Sequence, residues 1–269
     1  MIKVAAINSW SEPLAIDKNI NGIEHHLNEL GHQGVNYALF PELGVSGYIN
    51  NKQDLYVYVQ QYDEILKQLI NLSEHNSITF SVGLPMPINN HWGIAHLTLY
   101  GGQQVALHYK THLSVHEKEV FSPGNQLQIF EQNGIKTGLQ LCLESHYPEL
   151  SLSMSQQQAE LLCFAFASPR ETPEEKLERF KMLLQARAYD NACFVMACNQ
   201  TGLTPSGKNY AGVALILSPR GKVLARSTGM KSNYCIAEID LKAIETIKNS
   251  VMSNFPAYRN TDFELRFKE

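Results

Sequence analysis

Residues 139–149, LQLCLESHYPE, set a cysteine at the end of an apolar run and follow it with Glu144, His146 and a Tyr-Pro-Glu segment. The strand that the run predicts must stop there, because Pro148 and the polar Glu144-Ser145-His146 force a turn. Strand ends build the site in many mixed α/β folds, and a turn into a helix leaves backbone N–H groups that can hold an anion. A thiol at Cys142 could therefore attack a carbonyl while the N–H of Leu143 receives the developing oxyanion. On position alone the commoner reading of Cys142 is a small buried hydrophobe.

Two further segments carry the same signature. ALFPELGVSGY (38–48) places Glu42 just past an apolar strand, and HYKTHL (108–113) places Lys110 at the end of QVALHY. Alone, each is most simply a solvated surface charge. A base, a fixed cation and a thiol are nevertheless the types that acyl transfer needs. They lie so far apart in the chain that only a fold gathering three strand ends makes a site of them.

Histidines 108, 112 and 116 recur every fourth residue, the spacing at which a helix would align them for a metal, but their segment starts like a strand and has no helical apolar face. A Cys–His pair of Cys142 with His146 or a distant histidine is the stronger rival, because histidine is the commonest general base. A binding or regulatory module without turnover is the non-enzymatic alternative.

The elements that must position these residues follow from periodicity. IKVAAI (2–7) predicts a strand; Ile16, Ile20, Ile23, Leu27 and Leu30 a helix; NYALF (36–40) a strand; Leu55, Val59, Tyr62, Leu66 and Leu69 one face of a second helix; ITFSVGL (78–84) another strand. Beyond His91 come strands joined at Gly101-Gly102, Pro123-Gly124 and Asn133-Gly134, which predict antiparallel hairpins. Thr172, Pro173 and Glu175 mark the start of a helix that should reach about Tyr189. The runs Leu161–Ala167 and Cys193–Cys198 read as central buried strands. A last helix is expected from about Leu241. No linker, low-complexity tract or sequence repeat interrupts the chain, which predicts one α/β domain over residues 1–269 with mixed sheets.

Composition narrows the partners. The 269 residues carry a net charge of −4, and no stretch concentrates five or more basic residues, which argues against nucleic acid. The longest apolar runs fall far short of a membrane span. Five cysteines without paired or zinc-like spacing suggest reduced thiols in a cytoplasm.

FPELGVSGY, YKTHL and LCLESHYPE, in this order, resemble the nitrilase superfamily of carbon–nitrogen hydrolases, in its amidase-like branch, and with EKEVFSPGN (117–125), QARAYDNACFVMACNQTG (185–202) and NYAGVALILSPRGKVLA (209–225) the resemblance covers nearly the whole chain. The resemblance implies a four-layer αββα sandwich of two mixed sheets with helices outside. It makes Glu42 the general base, Lys110 the stabiliser of the tetrahedral intermediate, Cys142 the nucleophile and Glu117 a supporting fourth residue, with Tyr48 lining the pocket. It implies a small amide substrate, no metal or organic cofactor, and a homodimer or larger. N-carbamoyl amides or nitriles are the runner-up substrates. Glu144 stands where the family often has aspartate, a departure expected to alter the pocket. The thiol of Cys142 is expected to have a lowered pKa and to react with iodoacetamide near neutral pH faster than the other four cysteines.

Overall fold

The computed structural model describes residues 1–204 and 207–260. Strand β1 (Ile2–Asn8) leads into helix α1 (Ile16–His32), whose buried face contains all five residues that predict it, Ile16, Ile20, Ile23, Leu27 and Leu30. Strand β2 (Tyr37–Leu39) follows. Where the spacing predicts one helix there are two, α2 (Lys52–Val59) and α3 (Tyr62–Glu74). Trp92 sits against both sides of the break: the rings of Tyr58 and Tyr62 meet it edge-on, at 6.1 and 5.0 Å, and the Tyr58 hydroxyl donates to the Pro85 carbonyl. The buried face is consequently Leu55, Tyr58, Ile65, Leu69 and Leu72, while Val59, Tyr62 and Leu66 are only half-buried.

Strands β3 (Thr79–Ile88), β4 (His91–Tyr100) and β5 (Gln103–Tyr109) form an antiparallel meander. Its turns, Asn89-Asn90 and Gly101-Gly102, have positive φ at both residues, as does Asn133-Gly134 between β6 (Ile129–Gln132) and β7 (Ile135–Leu141). Paired positive φ matches the right-handed twist of the flanking strands. Gly101-Gly102 and Asn133-Gly134 were legible as turns; Asn89-Asn90 was not.

Helix α4 (Pro148–Gln156) leads to β8 (Leu161–Phe166), and α5 (Pro173–Asn191) to β9 (Phe194–Asn199). At the start of α5 the Thr172 hydroxyl accepts from Glu175 N–H at 3.2 Å while Glu175 accepts from Thr172 N–H at 2.9 Å. The helix runs two residues past the predicted Tyr189 and stops at Ala192, which is left-handed at φ 53°. The short β10 (Gly202–Leu203) and β11 (Asn209–Tyr210), then β12 (Gly212–Leu217), β13 (Val223–Gly229), β14 (Asn233–Ile239) and α6 (Lys242–Lys248) complete the order.

One six-stranded sheet has the order β14-β1-β2-β3-β4-β5 and the other β6-β7-β8-β9-β12-β13. In both, the successive pairings are antiparallel, parallel, parallel, antiparallel, antiparallel. The topology is thus duplicated without a repeat in the sequence. Alternation along β8 shows the layering: Leu161, Cys163 and Ala165 face the other sheet, whereas Leu162, Phe164 and Phe166 pack under α5 with Phe180 and Leu184. Helices α1 and α3 cover the first sheet, α4 and α5 the second. Two mixed sheets face to face with helices outside is the expected αββα sandwich.

Fold and site meet at Gly83 of β3, where an added Cβ would lie 2.3 Å from Leu43 N and 2.8 Å from Glu42 Cα. Contacts under about 3 Å require backbone to move. Gly83→Ala is expected to leave a folded protein of lowered melting temperature and, through displaced Glu42, to lose activity about a hundredfold; circular dichroism and rates on the same preparation check both.

Candidate active site

The two parallel steps of each sheet send strand ends to a common rim. Strand β2 runs into Phe40-Pro41-Glu42, β7 into Cys142, β8 into Ala167 and β9 into Gln200. Glu42 is almost fully buried; its Oε1 accepts from Lys110 Nζ at 2.7 Å and its Oε2 from Ala167 N–H at 3.1 Å. Gln200 Nε2 fixes the Glu42 carbonyl at 2.8 Å. The same Lys110 ammonium donates to Glu117 Oε1 at 2.7 Å. Glu117 is fastened in turn by Ser114 N–H, 2.7 Å from Oε2, and by the Tyr48 hydroxyl, 3.2 Å from Oε1. Four residues predicted from sequence, Glu42, Lys110, Glu117 and Tyr48, therefore form one hydrogen-bonded chain.

Cys142 opens a short 3₁₀ turn, Cys142–His146, with φ at +36°, a left-handed conformation that a non-glycine residue adopts only when its surroundings impose it. Leu143 follows in that turn. Of the five cysteines Cys142 is half-buried and the other four are buried, while its sulfur lies deep enough for burial to dominate its titration. Glu42, Lys110 and Glu117 all act on the thiol electrostatically, and the Ala167 N–H reaches it.

The charges set the protonation states. Burial, then the Glu42 and Glu117 carboxylates, push the Cys142 thiol up to about 12 against the pull of Lys110. The direction is opposite to the lowered thiol pKa that the sequence led us to expect, because the sulfur is buried and faces two carboxylates and one ammonium. Burial likewise raises Glu42 to about 7, with Lys110 opposing and Glu117 adding to the rise. Lys110 remains charged, since burial is outweighed by Glu42, Cys142 and Glu117.

Glu144 does not line the pocket as expected. It is buried, and its oxygens accept from Leu141 N–H at 2.6 Å, Thr111 N–H at 2.7 Å, Thr111 Oγ1 at 2.6 Å and His108 Nε2 at 2.9 Å. Burial alone would raise its carboxyl, but His108 and Thr111 outweigh that and hold it at about 2. The extra methylene relative to aspartate belongs to a brace between the β5 and β7 ends. Of the evenly spaced histidines, His108 is taken up by Glu144 and His112 stacks on Tyr147 at 4.1 Å, while His146, the candidate partner of Cys142, is exposed.

With the geometry in hand, comparison with known proteins is decisive. The sequence profile of the carbon-nitrogen hydrolases matches residues 3–249. The chain belongs to that family. It is 29% identical to the deaminated glutathione amidase of Dictyostelium discoideum over 81% of this chain and 80% of that one. It is 34% identical to the 2-oxoglutaramate amidase of Bacillus subtilis over 56% of each, so it spans little more than half the length of that relative. The NitN amidase of Nesterenkonia sp. AN1 superposes with a TM-score of 0.82 at 21% identity, over 96% of this chain and 100% of that one, a likeness of fold. A variant of that amidase carries acrylamide added at its active-site cysteine. The carbon–nitrogen hydrolase chain is an enzyme acting on carbon–nitrogen bonds other than peptide bonds.

Several site groups escape sequence reasoning. The Ala167 N–H ends a run that reads only as core, and the signal was its stop at Ser168-Pro169. Lys176 is fully buried, its ammonium on Ser168 Oγ at 2.9 Å, although lysine on a helix reads as surface. Tyr210, buried in β11, has its hydroxyl raised by burial and then by the nearby Glu42 and Cys142.

Iodoacetamide should label Cys142 first because of access rather than acidity, with a rate still climbing well above neutral pH; peptide mass spectrometry against pH checks it. Because the folded pKa of Glu42 is raised, its stabilising neutral form is fully present below the unfolded carboxyl range and lost as pH rises toward 7. Glu42→Gln is therefore expected to raise stability by on the order of 2 kcal/mol at pH 8, with a margin that shrinks toward pH 5; an equal margin at both would contradict it.

Proposed function

We propose that the chain hydrolyses small amides with Cys142 as nucleophile, as one catalytic domain that associates as a homodimer or larger. The observation that carries the reading is the Glu42–Lys110–Glu117 chain, 2.7 Å at each link, set around the thiol at the end of β7. In the free enzyme the proton rests on sulfur. As the thiol attacks the amide carbonyl, Glu42 takes that proton, which a carboxylate raised to about 7 does far better than an ordinary one.

Lys110 and the Leu143 N–H stabilise the oxyanion, and preorganised donors in a dry site act where the charge develops. Glu42 then delivers its proton to the leaving nitrogen, the carbon–nitrogen bond breaks, and ammonia departs from a Cys142 thioester. Water enters, Glu42 removes its proton, and collapse of the second tetrahedral intermediate returns the acid and the thiol. Glu117 keeps Lys110 in place and Tyr48 closes the pocket beside it. No step calls for a metal or an organic cofactor.

The relatives named as amidases support an amide, and the Tyr-Pro-Glu after the cysteine favours it over a nitrile. The test is ammonia release from ω-amides, aliphatic amides, N-carbamoyl compounds and nitriles, with Cys142→Ala protein as blank. At least one amide is expected to give Cys142-dependent ammonia, and nitrile turnover above every amide would overturn the preference. Lys110→Met is expected to lower kcat about a hundredfold to a thousandfold, whereas chelators should leave it unchanged. The pH profile of kcat/KM should rise through about pH 7 as Glu42 ionises and lose that limb in Glu42→Gln.

A further inference from the structure

One fully buried charge has no part in the chemistry proposed above. Lys176 lies near the start of α5 with no side-chain surface exposed. Burying an ammonium is costly unless its protons find acceptors. The three protons of Lys176 have three, all within residues 168–171: Ser168 Oγ at 2.9 Å, the Pro169 carbonyl at 3.2 Å and Glu171 Oε2 at 2.6 Å. None is left over for a ligand. Arg179 repeats the grip, with Nη2 on Ser168 Oγ at 3.0 Å and Nε on Glu171 Oε1 at 3.0 Å.

The gripped segment is held from the sheet side as well. Asn199, which ends β9, accepts from Ser168 N–H at 2.8 Å and donates to the Ser168 carbonyl at 3.1 Å. Arg170 and Glu171 are consecutive left-handed residues, at φ 69° and 67°, a conformation that persists only where neighbours over-determine it. Immediately before this segment stands Ala167, whose N–H donates to Glu42 Oε2 at 3.1 Å and reaches the Cys142 sulfur. Ala167 lies just past the last residue of β8, so the aim of its N–H depends on what holds the chain after it.

Glu42 has charged and titratable neighbours on every side: Lys110 and Glu117 from beyond β5, the Cys142 thiol from the end of β7, Tyr210 from β11 and Tyr48 from the segment after β2. Lys176 itself faces Glu171 and Arg179, and its charge is felt at Cys142.

We propose that Lys176 is a positioning residue for the catalytic base: by clamping residues 168–171 it aims the Ala167 N–H at the Glu42 carboxylate and so sets the pH at which that base is ready. The proposal rests on reading Glu42 as the base and adds what tunes it. A donor on a carboxylate favours the charged form, so a carboxylate that loses part of that bond ionises at higher pH.

Lys176→Met tests it, because methionine fills irregular buried space and Glu171 keeps Arg179 as its partner. Glu42 is followed without turnover through its carboxyl carbon, by carbon-13 NMR on glutamate-labelled protein, the signal being assigned by its loss in Glu42→Gln. The titration midpoint is expected to rise by about one pH unit in Lys176→Met, as a weakened charge-assisted hydrogen bond would cause. The acidic limb of kcat/KM should rise with it, so that the rate falls about fivefold near pH 7 and recovers toward about pH 9. Ser168→Ala leaves the ammonium in place and removes the acceptor that Lys176 and Arg179 share. It should move the midpoint the same way by a smaller amount, and it decides the matter should Lys176→Met fail to fold. A midpoint that neither substitution moves overturns the proposal, whatever happens to the melting temperature. A shift in Lys176→Met with none in Ser168→Ala assigns the effect to the field of the ammonium and overturns the positioning role. The carbon titration reads the clamp whether or not any amide is hydrolysed, so a failure of the amidase reading shows separately in the ammonia assay.

Discussion

One ammonium shared by two buried carboxylates is the constraint on which the rest depends. Each ion taken out of water costs several kcal/mol unless it is paired. Glu42 from the end of β2 and Lys110 with Glu117 from beyond β5 must therefore arrive together. All three belong to the first sheet, whereas the Ala167 N–H that completes Glu42 and the thiol beside it belong to the second. Electrostatics as well as apolar burial thus ties one sheet to the other. Two carboxylates against one ammonium also leave the cluster short of positive charge. Burial first, and that shortfall after it, raise both the Cys142 thiol and the Glu42 carboxyl above their ordinary values.

Much of this was legible in the chain. Strand ends are written in local terms: an apolar run, then a proline or glycine, with the polar residue between them exposed by the stop. Glu42, Lys110 and Cys142 could each be placed at such an end, and the capped start of α5 was readable to the residue because the two hydrogen bonds of the cap join Thr172 and Glu175, three residues apart. What stayed hidden depends on partners far along the chain. Nothing near Tyr58 says that Trp92 will sit against both sides of a helix break, and nothing in LLCFAFA says that its last N–H will meet a carboxylate 125 residues away. The pKa of the thiol could not be read either, since it turns on how dry the site is after the sheets close.

Glu144 illustrates the difference between a residue's type and its place. Beside a cysteine a glutamate suggests chemistry, yet its four donors come from β5, the segment after it and the end of β7. It fastens the end of β5 to the turn that Cys142 opens. The departure from the aspartate common in the family therefore adjusts a brace and not the lining of the pocket.

The pairing of β14 with β1, from Ile2 opposite Ile239 to Asn8 opposite Asn233, has a consequence for the order in which a working molecule can arise on the ribosome. The sheet whose strand ends carry Glu42 and Lys110 keeps an open edge until residues near 239 have left the exit tunnel. An unpaired edge invites other strands. Cys142 emerges long before that edge closes, so the newborn chain passes through a stage in which the thiol is present but its surroundings are not yet fixed. Completion of the buried cluster is in this sense a late event, timed by the strand that seals the first sheet rather than by the appearance of the last of its side chains.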